Sequence, residues 1–138
     1  MQADTAHELD PRLAADTIRL DDWPLCSVLL MNDRRWPWLI LVPRRRGIVE
    51  LFDLSPADRA TLSEESARAA EVLKALTGAQ KINVATLGNM VRQFHLHVVA
   101  RSEGDPNWPG PVWGFGARDP LDPAQAETFR SRLSERLR

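Results

Sequence analysis

The segment from Ser55 to Gly78 has the signals of one long helix, and its position along the chain limits the folds that are open to the protein. Ser55 followed by Pro56 is a typical helix start, because a serine side chain can accept from free N–H groups and proline fits the first turn. Asp58 completes a pattern that resembles a capping box, apolar residues recur at helical spacing after it, and Gly78 can end the helix. We therefore predict a helix from about Pro56 to Thr77.

Three strand-like segments precede this helix and two follow it. They are rich in large apolar residues and bounded by turn residues, and they read TIRLDDW, CSVLLMN, PWLILVP, KINVATL and VRQFHLHVVA. The first three are joined by connections of hairpin length, so consecutive strands should run antiparallel. A helix between the third and fourth strands should then cover one face of the sheet. The pattern predicts an α+β domain with a five-stranded antiparallel sheet.

Two further pairs of a polar residue and proline mark helix starts, at Asp10-Pro11 and at Asp122-Pro123. The first opens only a short helical segment. The second opens a C-terminal helix whose apolar residues form one stripe, which should pack on the body of the protein.

The length of 138 residues is near the common size of one domain. We predict a single domain over 1–138. Its core should span about 10–101, followed by an extended segment rich in tryptophan and proline over 102–122, here called the Trp/Pro arm, and by the C-terminal helix over 123–137.

Composition excludes several classes of protein. A formal net charge of -1 gives no basic excess for binding a nucleic-acid polymer. The single cysteine, Cys26, cannot form an internal disulfide, and the N-terminus lacks the basic start and apolar run of a secretory signal. The apolar runs are shorter than the ~20 residues that cross a bilayer. We therefore expect a cytoplasmic protein without a membrane partner.

Two of the three histidines in the chain, His95 and His97, lie two residues apart, and Gln93 lies two residues before them. Side chains at alternate positions of a strand share a face, so these three should form one row. We expect the row to face outward, while the apolar row of Phe94, Leu96 and Val98 faces the core. Both imidazoles could then reach one phosphoryl group, although a solvated pair on an amphipathic strand has the same pattern.

This stretch resembles the motif of the histidine-triad (HIT) family, His-φ-His-φ-His-φ-φ, where φ is apolar. Here the motif reads QFHLHVV, so Gln93 stands at the position of the first family histidine. The resemblance extends to LLMNDRRWPWLILVPRR, which is similar to a strand pair of the family that ends in Val-Pro and basic residues. It covers about residues 10–101.

The resemblance implies a hydrolase or nucleotidyl transferase that acts on nucleoside phosphate derivatives. We expect no cofactor, and no metal either, because the sequence has no Cys/His spacing for zinc and two histidines without a third ligand make a poor metal site. His95 would attack the α-phosphorus and form a nucleotidyl-histidine, while a backbone carbonyl holds its other ring nitrogen. His97 would donate to phosphate oxygens, and Gln93 would be a phosphate-side or orienting donor that carries no proton near neutral pH. The alternative is a module that binds or senses a nucleotide with little turnover.

The resemblance also implies contacts to the rest of the nucleotide. Asn83 and Asn89 match polar positions around the phosphates, and Asn32 is a weaker candidate for a ribose contact. Three apolar residues either line the base pocket or belong to the plain core: Ile18, Leu20 and Leu30.

Family members form two-fold homodimers through the helix and sheet edge that precede the histidine strand, so we expect a homodimer. In the Trp/Pro arm, Trp108 or Trp113 should lie at the pocket rim or at the subunit boundary, or else fold over the chain's own core. The basic cluster Arg44–Arg46 either steers anionic ligands or is a solvated loop.

Overall fold

The predicted helices and strands are present in the computed structural model, which describes residues 7–137. The helices are α1 (Pro11–Asp16), α2 (Pro56–Thr77) and α3 (Pro123–Leu137). The strands are β1 (Thr17–Asp22), β2 (Cys26–Met31), β3 (Trp38–Pro43), β4 (Lys81–Ala85) and β5 (Leu96–Arg101). A short 3-10 helix over Leu51–Asp53 was not predicted.

The strands form one antiparallel sheet in the order β1-β2-β3-β5-β4, so the predicted α+β fold is confirmed. Residue Ile40 of β3 pairs with His97 of β5, and Trp38 pairs with Val99. The strand that carries His97 therefore lies inside the sheet, between β3 and β4.

Helix α2 has the ends that its sequence predicts. The Ser55 hydroxyl accepts from the Asp58 amide at 3.1 Å, and Gly78 closes the helix with φ +70, a conformation that suits glycine. Its buried residues pack with Phe94 and Val98 in one apolar core, which Leu133 of α3 completes. The apolar row of the histidine segment therefore faces the helices, as predicted.

The opposite face of the sheet is covered as well, so the expectation of an outward histidine row is wrong. His95 and His97 are each only 6% exposed. A second apolar cluster fills this face, and α1 and the Trp/Pro arm contribute to it through Leu13 and Val112. The arm places tryptophan and valine side chains where the sequence pattern alone predicts water.

Strand β5 begins at Leu96, later than the predicted segment. The Phe94 amide donates to the Ile48 carbonyl at 2.9 Å, and the His95 carbonyl accepts from the Thr86 hydroxyl at 2.8 Å. Because these groups bond outside the strand ladder, Gln93 and His95 lie in a loop that leads into the strand. Among the described residues, none of the helices is long and apolar enough to cross a membrane.

Candidate active site

His95 is held by the backbone immediately before it. Its Nδ1 lies 2.7 Å from the carbonyl oxygen of Gln93. A carbonyl can only accept, so Nδ1 carries the proton and donates. In the neutral ring the remaining nitrogen, Nε2, then has a free lone pair, which is the form that a nucleophile requires.

His97 has the opposite arrangement. The indole Nε1–H of Trp38 donates to its Nδ1 at 3.0 Å. Burial, with a smaller contribution from the neighbouring His95, lowers the pKa of His97 from its ordinary 6.5 to about 3. The ring is therefore neutral near pH 7, and its proton is on Nε2.

Aromatic rings surround the two imidazoles. The ring centroids of His95 and His97 are 4.9 Å apart. The ring of Trp113, from the Trp/Pro arm, lies 5.3 Å from His97, and that of Trp38 lies 5.6 Å from it. These contacts exclude water from much of the imidazole surface, which strengthens electrostatic interactions there.

A cavity of about 310 Å³ opens onto both histidines. Its walls are the loop between β4 and β5 and one turn of the Trp/Pro arm. The residues that line it are Leu87, Gly88, Asn89, Met90, Val91, His95, His97, Trp113 and Gly114. The two histidines are the titratable side chains among these residues, so the cavity has no carboxylate and no lysine or arginine in its lining.

A second cavity of about 400 Å³ shares Trp113 and Gly114 with the first. Its lining includes two ion pairs, one between Arg35 and Asp33 and one between Arg118 and Asp16, each 2.7 Å long. Neither pair was predicted from sequence. The second cavity therefore adds charged side chains beside the mainly apolar cavity that the histidines line.

Four of the predicted site residues come together. His95, His97, Asn89 and Trp113 all line the 310 Å³ cavity. Trp113 contacts His97 and lines the cavity, and the pocket rim is one of the three positions that the sequence left open for it.

Three others lie away from this cavity. Asn32 accepts from the Leu121 amide at 2.9 Å and so holds the segment before α3. Asn83 accepts from the Arg101 guanidinium at 3.4 Å, and the same guanidinium lies 5.7 Å from the ring of Trp108. The side chains of Asn32, Asn83 and Trp108 thus have structural partners.

Gln93 also has partners other than those expected. Its Oε1 accepts from the Asp10 amide and its Nε2 donates to the Glu8 carbonyl, both at 2.8 Å. The side chain holds the N-terminal segment, and it is not part of the cavity lining.

The sequence left the roles of two further groups of residues open, and several of these residues have contacts in the fold. Leu30 is buried in the core beneath α2, with Ile18 and Leu20 packed against it, so these residues are core and lie on the face opposite the histidines. In the basic cluster, Arg44 donates to the Trp23 carbonyl at 2.6 Å and Arg45 pairs with Asp58 at 2.9 Å. Neither arginine lines the histidine cavity.

Sequence reasoning missed Trp38. Its place beside the histidines follows from strand pairing, because Trp38 and Ile40 alternate along β3 and one strand neighbour of β3 is the histidine strand. Without that pairing, the tryptophan was indistinguishable from ordinary core. Within residues 7–137, no group of three or more His, Cys, Asp or Glu side chains is placed to hold a metal ion.

Comparison with known proteins extends the resemblance. The family model described as HIT domain matches residues 12–104. A histidine triad protein from Sinorhizobium meliloti 1021 is 55% identical, with a TM-score of 0.94 over 96% of this chain and 98% of its own. One from Marinobacter aquaeolei VT8 is 47% identical, with a TM-score of 0.93 over 95% and 96%.

A histidine triad protein from Bradyrhizobium japonicum is 42% identical, with a TM-score of 0.94 over 96% of this chain and 99% of its own. Among curated proteins there is no significant match. The match over residues 12–104 includes both histidines and all five strands, and on that ground the chain belongs to the histidine-triad family.

Proposed function

We propose that the protein is a hydrolase or nucleotidyl transferase that acts on nucleoside phosphate derivatives through a covalent intermediate on His95. One observation carries the proposal. The 2.7 Å contact from His95 Nδ1 to the Gln93 carbonyl leaves Nε2 as the unprotonated nitrogen of a residue that lines the cavity. Covalent catalysis by histidine requires this tautomer.

In the first step, the lone pair of His95 Nε2 attacks the α-phosphorus and a P–N bond forms. The bond to the leaving group breaks, and its electron pair departs on the leaving oxygen or nitrogen, which takes a proton from water. In the second step, water or an acceptor hydroxyl attacks the phosphorus and releases a proton to solvent. The P–N bond breaks, and its electron pair returns to Nε2.

His97 and Asn89 serve the phosphate in this proposal. Both line the cavity, and both have an N–H group that can donate to a non-bridging oxygen. Such bonds to an anion are stronger than bonds between neutral partners. Trp113 covers the site and limits the access of water.

The leaving group receives little help with its proton. His97 has a pKa of about 3, and the amide of Gln93 is already bonded to Glu8 and Asp10. General acid catalysis typically contributes about 10²- to 10⁴-fold. Substrates with good leaving groups, such as phosphoanhydrides, should therefore react faster than alkyl esters.

The lack of a proton donor for the leaving group favours a second candidate function. Such a site binds nucleotides that have poor leaving groups but does not turn them over, because it supplies no proton to the leaving group. A nucleotide-binding or sensing module with little turnover would use the same cavity.

The two functions are separated by turnover of a set of nucleoside phosphate derivatives, followed by rapid acid quench and intact-protein mass spectrometry. We expect an added nucleotidyl mass on the wild type. His95→Asn removes the nucleophile but keeps a side-chain N–H near the Gln93 carbonyl, so it should bind nucleotide and lose at least about 10³-fold in kcat.

His7→Ala is the matched control, because His7 lies outside the cavity lining, and it should keep the wild-type rate. Turnover by His95→Asn near the wild-type rate would rule out the covalent mechanism. Tight nucleotide binding by the wild type without turnover or adduct would favour the sensing module.

A further inference from the structure

Two indoles contact the His97 ring, and only one of them forms a hydrogen bond with it. Trp38 Nε1 lies 3.0 Å from His97 Nδ1. Trp113 packs edge-on against the same ring, yet its buried Nε1 has no hydrogen-bond partner. The two contacts are therefore similar in packing and different in hydrogen bonding.

The Trp38 bond has a definite chemical consequence, because an indole N–H can only donate. Nδ1 of His97 must keep its lone pair to accept, so the proton of the neutral ring is on Nε2. Protonation of Nδ1 would place two N–H groups against each other and would break the bond.

Trp38 is itself held rigidly. Its side chain is buried, and its ring packs at 6.2 Å against both Trp36 and Trp113 in edge-on arrangements of 67° and 86°. An indole fixed in this way also fixes the rotation of the imidazole that accepts from it.

Among the described residues, no Asp, Glu, Lys or Arg lines the histidine cavity or pairs across the sheet with His97. The charged groups of the adjoining cavity, which shares Trp113 with the first, are the ion pairs Arg35–Asp33 and Arg118–Asp16. Strand β3 presents Trp38 and Ile40, and β4 presents Ala85 as the paired residue. The arm presents Trp113 and Gly114, and the loop before β5 presents the apolar and amide residues of the cavity wall. Among the residues lining the cavity, the other titratable neighbour is His95.

We propose that Trp38 is a positioning residue that fixes His97 as a neutral donor through its Nε2–H. The inference deepens the proposed function, on which it rests for the identity of the ligand: the Nε2–H would donate to a phosphate oxygen. The donor would be present across the whole neutral pH range, because it belongs to the uncharged ring.

The test is long-range ¹H–¹⁵N NMR of the protein labelled with ¹⁵N-histidine, without any ligand. His97 signals are assigned by their loss in His97→Gln. We expect the wild-type His97 to be the Nε2–H tautomer and to stay neutral down to at least pH 5. In Trp38→Phe, the tautomers should mix and the pKa of His97 should rise.

Trp113→Phe is the matched control, because it alters an indole on the same ring that donates to nothing. It should leave the His97 tautomer unchanged. Replacing Trp38 by 3-benzothienylalanine, which has sulfur in place of the N–H and nearly the same shape, gives a second test should the phenylalanine variant be unstable.

An Nδ1–H tautomer in the wild type would overturn the inference, as would an unchanged tautomer in the benzothienyl variant.

Turnover separates this result from the proposed function. If His95→Asn remains active while the Trp38 variants shift the tautomer, the covalent mechanism fails and the role of Trp38 stands. If the covalent mechanism and the role of Trp38 both hold, the pH profile of kcat/KM for Trp38→Phe should show an ionisation of His97 that the wild-type profile lacks. The value of kcat/KM at neutral pH should fall about tenfold.

Discussion

Gln93 joins two parts of the molecule through different groups of one residue. Its backbone carbonyl accepts from His95 Nδ1, and its side-chain amide holds Glu8 and Asp10. Arg12 adds a bond to the Met90 carbonyl at 2.8 Å, so the N-terminal segment is fastened to the loop that forms the cavity wall. A histidine in place of Gln93 would lack the side-chain amide oxygen and NH₂ group that bond to Asp10 and Glu8.

Gln93→Glu tests this role. The carboxylate can still accept from the Asp10 amide, but its second oxygen would face the Glu8 carbonyl, and two acceptors repel each other. We expect the free energy of unfolding to fall by about 1–3 kcal/mol. Urea denaturation measures this change, and hydrogen exchange at the Asp10 amide should become faster.

Gln80→Glu is the control for that substitution. Gln80 uses only its oxygen, which accepts from the Glu103 amide, and a carboxylate preserves that bond. Equal losses of stability in the two variants would show that the Glu8 contact contributes nothing.

At the scale of elements, the sequence predicts best where both ends of a segment have local signals. Helix α2 begins and ends at the predicted residues because Ser55 and Gly78 act within one turn of the chain. The exposure of the histidine row depended instead on Val112 and Trp113, whose segment is irregular and has no period to read.

The start of β5 was misjudged for a related reason. The apolar alternation continues back through Phe94, but the Phe94 amide bonds to Ile48, which is distant in sequence. For the site, the family motif pointed to His95 and His97, and both line the 310 Å³ cavity. The partners of Gln93, Asn32 and Asn83 depend on how remote segments pass over the sheet.

Helix α2 is joined to the sheet by a buried carboxylate. Glu65 is 6% exposed, and its two oxygens accept from the amides of Leu25 and Cys26 at 3.0 and 2.8 Å. These amides precede and begin β2, so the carboxylate fixes where the strand starts beneath the helix. Burial, with a smaller contribution from the same carboxylate, raises the pKa of the Cys26 thiol.

Glu65→Gln should therefore destabilise the protein, because an NH₂ group would replace one of the two acceptors and leave a buried backbone N–H without a partner. We expect a loss of about 1–3 kcal/mol in the free energy of unfolding, measured with urea. Glu64→Gln, on the exposed side of the same helix, should change it by less than about 0.5 kcal/mol. A similar small effect for both would show that the helix needs no carboxylate at this point.

At the scale of the whole molecule, one end of the sheet is uncovered. The edge strand β4 and the two loops beside it expose large apolar side chains, among the described residues Val49, Leu51, Phe52, Val84, Leu87 and Met90. Phe52 is 78% exposed and Met90 is 81% exposed. An unpaired strand edge with apolar neighbours is a typical surface for association.

We predict a homodimer that uses this surface. Phe52→Lys should convert the dimer to a monomer at micromolar concentration in sedimentation velocity, because a charge would be buried at the interface. Phe115→Lys is the matched control, since Phe115 is 41% exposed and lies on the Trp/Pro arm. A wild type that sediments as a monomer at all concentrations would contradict the prediction.

The two indoles that enclose His97 give the molecule an optical property of its own. Their rings lie 5.6 and 5.3 Å from the imidazole, and Trp113 also forms part of the cavity wall. Tryptophan emission responds to the polarity and charge of its immediate surroundings, so an anion that enters the cavity changes the fluorescence of the protein without any added label. The difference spectrum between the wild type and Trp113→Phe isolates this signal from the other tryptophans and allows occupancy to be followed in real time.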